Sequence, residues 1–83
     1  MVRITYKNSV ARDLKLIDKT RAKSLLDELE DSLNRNPDAG EPLKGEFRGL
    51  LKLRMGDYRV IYSKMGDGIL VLRIAHRSKV YGS

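Results

Sequence analysis

The spacing of apolar positions along the 83-residue chain switches from two residues to three or four and back to two, and each switch marks an element boundary. Val2-Arg-Ile-Thr-Tyr6 alternates apolar and polar side chains and carries β-branched residues, which predicts a short strand. Val10, Leu14 and Ile17 then recur at helical spacing behind Asn8 or Ser9, either of which can serve as an N-cap. Asp18 offers a second N-cap before Lys19–Asn34. In that segment Ala22, Leu25, Leu26, Leu29 and Leu33 form one apolar stripe, and Lys23, Asp27, Glu30 and Asp31 lie mostly outside it. Asn36-Pro37 ends the helix, because the residue before a proline avoids helical backbone angles.

Residues 37–49 hold two Pro, three Gly and one Phe and read as a connecting loop, with Leu43 and Phe47 as apolar anchors onto a sheet. Three strands follow, at Leu50–Met55, Tyr58–Ser63 and Ile69–Ala75. Gly56-Asp57 is a two-residue hairpin loop, and Lys64-Met-Gly-Asp-Gly68 is a second turn. Ile69-Leu-Val-Leu-Arg-Ile74 is almost wholly apolar, which predicts a central strand covered on both faces. The expected fold is α+β in the order β-α-α-β-β-β. It is a small antiparallel sheet with two N-terminal helices packed on one face, in a single domain over residues 1–83. The leucine stripe is core packing, and the chain contains no internal repeat, linker or low-complexity segment.

The first hairpin carries a pattern that core-building does not explain. With Gly56 and Asp57 in the loop, Met55 pairs with Tyr58 and Arg54 stands directly opposite Arg59. Alternation puts Lys52 and Arg54 on one face and Leu51, Leu53 and Met55 on the other. Like charges directly opposite each other destabilise a sheet by roughly 0.2–1 kcal/mol. A chain that keeps such a cluster has a use for it, and an anion, above all a phosphate, is the simplest one.

Charge along the chain strengthens this reading. Residues 1–43 contain eight Lys or Arg and eight Asp or Glu, whereas residues 44–83 contain nine against three and so hold the whole net charge of +6. The first half reads as a balanced scaffold and the second as a surface for a polyanion. There is no cysteine, which excludes disulfides and thiolate metal sites. No leader pattern and no apolar run of membrane-spanning length is present, so the expectation is a soluble, cytoplasmic protein with no membrane partner. No Gly-rich phosphate loop, paired-carboxylate site or metal-ligand spacing occurs either, and the expected chemistry needs no cofactor and no metal.

Metal-free cleavage of an RNA backbone needs a base for the 2′-OH proton, an acid for the 5′-oxygen and cations for the charge on the phosphate oxygens. Arg54 and Arg59 suit the last role, because a guanidinium is permanently charged and meets phosphate in bidentate geometry. Lys52 sits two residues before Arg54, where neighbouring positive charge favours the neutral amine that a general base requires. His76 is the only histidine, and imidazole ordinarily titrates near neutrality, so it is a candidate acid or base. Tyr81 can stack on a base or orient the phosphate. Lys44, Arg77 and Lys79 are further candidate RNA or phosphate contacts, and the expectation is that His76, Arg77, Lys79 and Tyr81 converge on the face bearing Lys52, Arg54 and Arg59. Each residue also has a plain structural reading. His76 is then an ordinary polar residue and Tyr81 a packing residue. The arginines would form surface pairs with Asp57, Asp67 or Glu46 worth under about 1 kcal/mol. Tyr6, Tyr58 and Tyr62 are assigned to packing or structural hydrogen bonds.

Pro42-Leu-Lys-Gly45, Lys52-Leu-Arg-Met-Gly-Asp-Tyr-Arg-Val-Ile-Tyr62 and Ala75-His-Arg-Ser-Lys-Val-Tyr81 together resemble the RelE branch of the RelE/ParE toxin superfamily, over essentially the whole chain. The resemblance implies a type II toxin acting as a metal-independent endoribonuclease, or mRNA interferase, that cuts messenger RNA in the ribosomal A site. It also implies a RelB-like antitoxin that binds and inhibits the toxin, the complex reaching operator DNA through the antitoxin. By the resemblance Lys52 corresponds to the general base, Arg59 to the arginine that stabilises the transition state, Arg54 to a phosphate-contacting cation and Tyr81 to the tyrosine that positions the substrate. A second family lysine falls on Leu50, and the place of the family's acidic-role arginine passes to His76 or Arg77. Two other readings share this pattern: a ParE-like inhibitor of DNA gyrase, and a catalytically inactive basic module that binds nucleic acid or a partner.

Overall fold

Gly56 sets the register of the sheet. In the computed structural model, which describes residues 2–76, Gly56 has φ of 62°, while no non-glycine residue among those described has a positive φ. The left-handed conformation therefore occupies the first loop position alone, the pattern of a II′ hairpin, whose twist matches that of the flanking strands. Gly66-Asp67 repeats the device ten residues later, with φ of 58° at Gly66. The strands joined by these loops are β3 at Leu51–Met55, β4 at Tyr58–Met65 and β5 at Gly68–His76. Because the second loop also consumes only two residues, β4 and β5 run further than the sequence reading expects, while β3 begins one residue later than expected.

The remaining elements are β1 at Arg3–Tyr6, α1 at Asn8–Lys15, α2 at Lys19–Arg35, β2 at Glu41–Pro42 and a 3-10 turn at Gly45–Phe47. The strands form one five-stranded sheet in the order β1-β5-β4-β3-β2. The α+β class and the strand–helix–helix start agree with expectation, with two differences in the sheet. It is mixed rather than wholly antiparallel, since β1 lies parallel to β5, with Arg3 beside Gly68 and Tyr6 beside Val71. Only hairpins enforce antiparallel pairing, and β1 and β5 are joined by everything between them instead. The segment read as loop also adds a strand, Glu41 pairing with Lys52 and Pro42 with Leu51. A proline is tolerated there because β2 is the edge strand. The middle of the sheet is β4, with β5 one place from the edge.

Alternation buries one face. Leu51, Leu53 and Met55 of β3, Tyr58, Val60 and Tyr62 of β4, and Ile69, Val71 and Ile74 of β5 pack with Val10, Leu14 and Ile17 and with the α2 stripe Ala22, Leu25, Leu26, Leu29 and Leu33. Leu25, Leu29 and Leu33 are fully buried, as their spacing predicts. Asp18 caps α2, its carboxylate accepting from the backbone N–H groups of Thr20 and Arg21 at 3.1 and 3.3 Å. Helix α1 is entered without a side-chain cap: Lys7 is its N-cap residue, and Asn8 already lies inside. Tyr62, fully buried, donates to Pro37 O and accepts from Gly40 N, both at 2.9 Å, which pins the loop after α2. Burial raises its phenol pKa. Burial also raises that of Tyr6, with a further push from Glu30, to which Tyr6 donates at 2.6 Å.

Strand β5 contains one residue more than its partner. Ile61 pairs with Arg73 but Tyr62 pairs with Val71, so Leu72 is an extra residue in the ladder. Strand β1 stops beside this point, where Lys7 N donates to Val71 O at 2.9 Å. Helix α1 takes over the vacated edge. Ser9 donates its hydroxyl to Leu72 O at 2.6 Å, and the Asp13 carboxylate accepts from Ile74 N at 2.9 Å and from Arg73 Nε and Nη2 at 2.9 and 3.0 Å. Asp13 is 8% exposed and Arg73's side chain 43%. Asp13→Ala should cost about 3 kcal/mol, the low end for breaking a buried pair because Arg73 keeps part of its hydration. Asp13→Asn, which keeps an acceptor for Ile74 N, should cost less. Urea unfolding with an unchanged slope measures both.

Candidate nucleic-acid interface

The face of the sheet turned away from the helices carries the cations. The register places Arg54 directly opposite Arg59 and Lys52 opposite Ile61. All three cations thus lie on one face, as the hairpin pattern predicts. In a two-residue hairpin the residues flanking the loop exchange both backbone hydrogen bonds, and the next pair outward has side chains at the closer of the two strand spacings. Arg54 and Arg59 occupy that closer pair. Arg59 is half-buried, and its Nη1 donates to Tyr58 O at 3.1 Å and Gly56 O at 3.3 Å, turning the guanidinium towards the loop. Its other N–H groups are left for a ligand. Arg54 is exposed and Lys52 half-buried.

No carboxylate among the described residues neutralises this cluster. The ion pairs are Arg35–Asp31, Lys64–Asp38 and Arg73–Asp13, and the surface pairs considered for Arg54 and Arg59 are not among them. Glu41, which the sequence reading leaves in a loop, stands beside Lys52 across the β2–β3 pairing. Together with Ala39, Lys52, Leu53 and Arg54 it lines a hollow of about 230 Å3. A carboxylate next to the lysine is a second group able to take up a proton. Its signal was weak, because a two-residue strand containing proline has no periodicity. Lys44 is exposed and precedes the 3-10 turn at the same edge of the sheet.

His76 is not brought to this face. It pairs with Tyr58, on the helix side, and its ring meets the Tyr58 ring edge-on with centroids 5.7 Å apart and planes at 86°. The extra residue Leu72 is the cause. In an unbroken ladder from the Gly66-Asp67 loop, Ala75 would stand opposite Tyr58 and His76 would share the face of Arg59. One added residue reverses every side chain after it. Ala75, not His76, is thus the neighbour of Arg59. Arg77, Lys79 and Tyr81 lie outside the described residues, as does their expected convergence on the site. Another residue passed over by the sequence reading is Arg21, whose guanidinium carbon stands 5.8 Å from the centre of the Tyr58 ring. Among the described residues no group of three or more His, Cys, Asp or Glu side chains is placed to hold a metal ion. No helix there is long and apolar enough to cross a membrane.

Comparison with known proteins gives this face a context. The family described as the ParE toxin of type II toxin–antitoxin system, parDE, matches residues 4–81. Toxin RelE of Mycobacterium tuberculosis (strain ATCC 25618 / H37Rv) is 35% identical over 77 residues, which cover 88% of this chain and 78% of that protein. A chain of the RelBE2 toxin–antitoxin complex from Mycobacterium tuberculosis is similar in structure, with a TM-score of 0.83 at 25% identity over 92% of this chain and 98% of that one. A chain of the E. coli DinJ–YafQ toxin–antitoxin complex has the same fold, with a TM-score of 0.72 at 21% identity over 98% of each chain.

The opposed arginines make a stability prediction that is independent of function. Arg54→Thr should stabilise the fold by roughly 0.2–1 kcal/mol, by removing a cross-strand repulsion and adding a β-branched residue. The gain should shrink as salt screens the wild-type repulsion. Paired thermal melts at low and high salt measure it.

Proposed function

The chain belongs to the RelE/ParE superfamily of type II toxins, and from that membership we propose that it is a metal-independent endoribonuclease cutting messenger RNA in the ribosomal A site. The observation that supports this reading most is the pairing of Arg54 opposite Arg59 on the face that also carries Lys52. Two guanidinium groups at that spacing match the non-bridging oxygens of a phosphodiester, where charge develops during in-line attack. Lys52 acts as the general base for the 2′-OH proton, the 2′-oxygen attacks phosphorus, and the bond from phosphorus to the 5′-oxygen breaks. The products are a 2′,3′-cyclic phosphate and a 5′-hydroxyl. Arg59 stabilises the phosphorane charge, Arg54 and Lys44 hold the backbone with Arg77 and Lys79, and Tyr81 stacks on the base. The proton for the leaving oxygen comes from His76 or Arg77. His76 serves only if the RNA strand bends round the end of β5, since its side chain starts on the other face.

The regulatory partner in this reading is a RelB-like antitoxin that carries the complex to operator DNA. The solution of a similar chain as a RelBE2 toxin–antitoxin complex supports it. A second reading, inhibition of DNA gyrase without RNA cleavage, is favoured by the ParE description of the matched family. Mapping the 5′ ends of transcripts on translating ribosomes after brief expression separates the two: codon-phased ends are expected, and their absence together with DNA damage would overturn the nuclease.

Three measurements on the site follow. Arg59→Ala should lower kcat on ribosome-bound messenger by about 10²–10³-fold, as removal of a charge-stabilising donor does elsewhere, with the melting temperature little changed. Tyr81→Ala should likewise relieve growth arrest; full toxicity in both variants removes these residues from the mechanism. Cleavage by toxin pretreated with EDTA and dialysed should continue, and a strict requirement for a metal restored to the toxin contradicts the scheme.

A further inference from the structure

The cations of the open face end at the Gly56-Asp57 loop, but positive charge continues on the other side of that loop. Arg21, in the first turn of α2, is held over Tyr58 at 5.8 Å. Its Nη2 approaches Gly56 so closely that a Cβ added there would meet it at 3.0 Å. Arg59 approaches the same glycine from the opposite face, with Nη1 3.3 Å from Gly56 O. Two guanidinium groups from two elements thus straddle one loop residue that has no side chain to separate them. Tyr58 stands between Arg21 and His76, so a cation and two aromatic rings sit together where the strand pair turns. Among the described residues Arg21 pairs with no carboxylate. The acidic groups near it are Asp57 in the loop and Asp18 at the helix cap. The Asp18 carboxylate is already taken by the backbone N–H groups of Thr20 and Arg21.

We propose that the RNA-binding surface does not stop at the sheet face: a single-stranded RNA backbone passes round the Gly56-Asp57 loop, and Arg21 contacts a second phosphate on the helix side. The inference rests on the nuclease reading and extends it to a residue outside the cleavage chemistry. Arg21 is a binding residue, so its loss acts on affinity and KM and not on the proton transfers. A Cβ at Gly56 would push the Arg21 guanidinium aside by a few tenths of an ångström, so the glycine eases this approach besides supplying its backbone angle.

The test is binding of a single-stranded oligoribonucleotide carrying 2′-O-methyl groups throughout, which cannot be cleaved because the attacking hydroxyl is blocked. Anisotropy titrations from 50 to 300 mM KCl give the slope of log affinity against log salt for wild type, Arg21→Met, Arg21→Lys and Arg54→Met. Each lost phosphate contact on a single strand should reduce the slope by about 0.7. Arg21→Met should bind more weakly with that reduced slope, and Arg21→Lys, which keeps the charge, should retain the wild-type slope. A merely structural Arg21 would lower the melting temperature and leave the slope alone. If Arg54→Met loses slope and Arg21→Met does not, this inference falls and the nuclease reading stands. If neither loses slope, or wild type shows no salt-dependent binding, this inference falls, and the transcript-end mapping decides the nuclease reading.

Discussion

The Asp13 carboxylate holds the two halves of the molecule together. It sits on α1, is nearly inaccessible to water, and accepts three hydrogen bonds from β5: two from Arg73 and one from the backbone of Ile74. Strand β1 is too short to cover that edge, and the extra residue Leu72 has broken the ladder on the other side. Without Asp13 and the Ser9 hydroxyl, β5 would present unpaired polar groups where the chain is least regular, at a cost that is a large part of the margin of a small domain. The same contact cancels the charge of Arg73, whose backbone position lies in line with Lys52 and Ile61. Positive charge on the sheet is therefore concentrated at the first hairpin.

At that hairpin the fold accepts a local penalty. Arg54 and Arg59 face each other at the closer strand spacing, and Arg59 relieves part of the repulsion by bonding to loop carbonyls. The penalty is fixed in place by a II′ loop that allows one register only. A stability optimum would put threonine or a carboxylate at one of the two positions. Conflict between local stability and a charge pattern is expected where a surface must hold an anion.

How much of this was legible in the sequence depends on the range of each signal. Gly-Asp loops act over four residues, so the opposition of Arg54 and Arg59 and the face shared with Lys52 followed from counting. The α2 stripe, Leu25, Leu29 and Leu33 above all, was equally clear because one period persists through four turns. The parallel partner of β1 was not, since four alternating residues specify a face and no neighbour. Glu41-Pro42 pairs through an accident of edge geometry that composition hides. Asp13 looks like any polar helix residue until β5 is placed against it. His76 was expected on the cationic face because it follows directly from the last strand, and a single unpaired residue four positions earlier sends it to the other.

The alignment of β1 with β5 joins Arg3 to Gly68, the first strand of the sheet to its last. A chain emerging from the ribosome can wind its helices early, but Ile4 finds its neighbour, and α1 its anchor at Ile74, only when the final strand has been synthesised. Such long-range closure makes assembly slow and late. A growing polypeptide of this kind displays the arginines of its hairpin before it has a finished body to hold them.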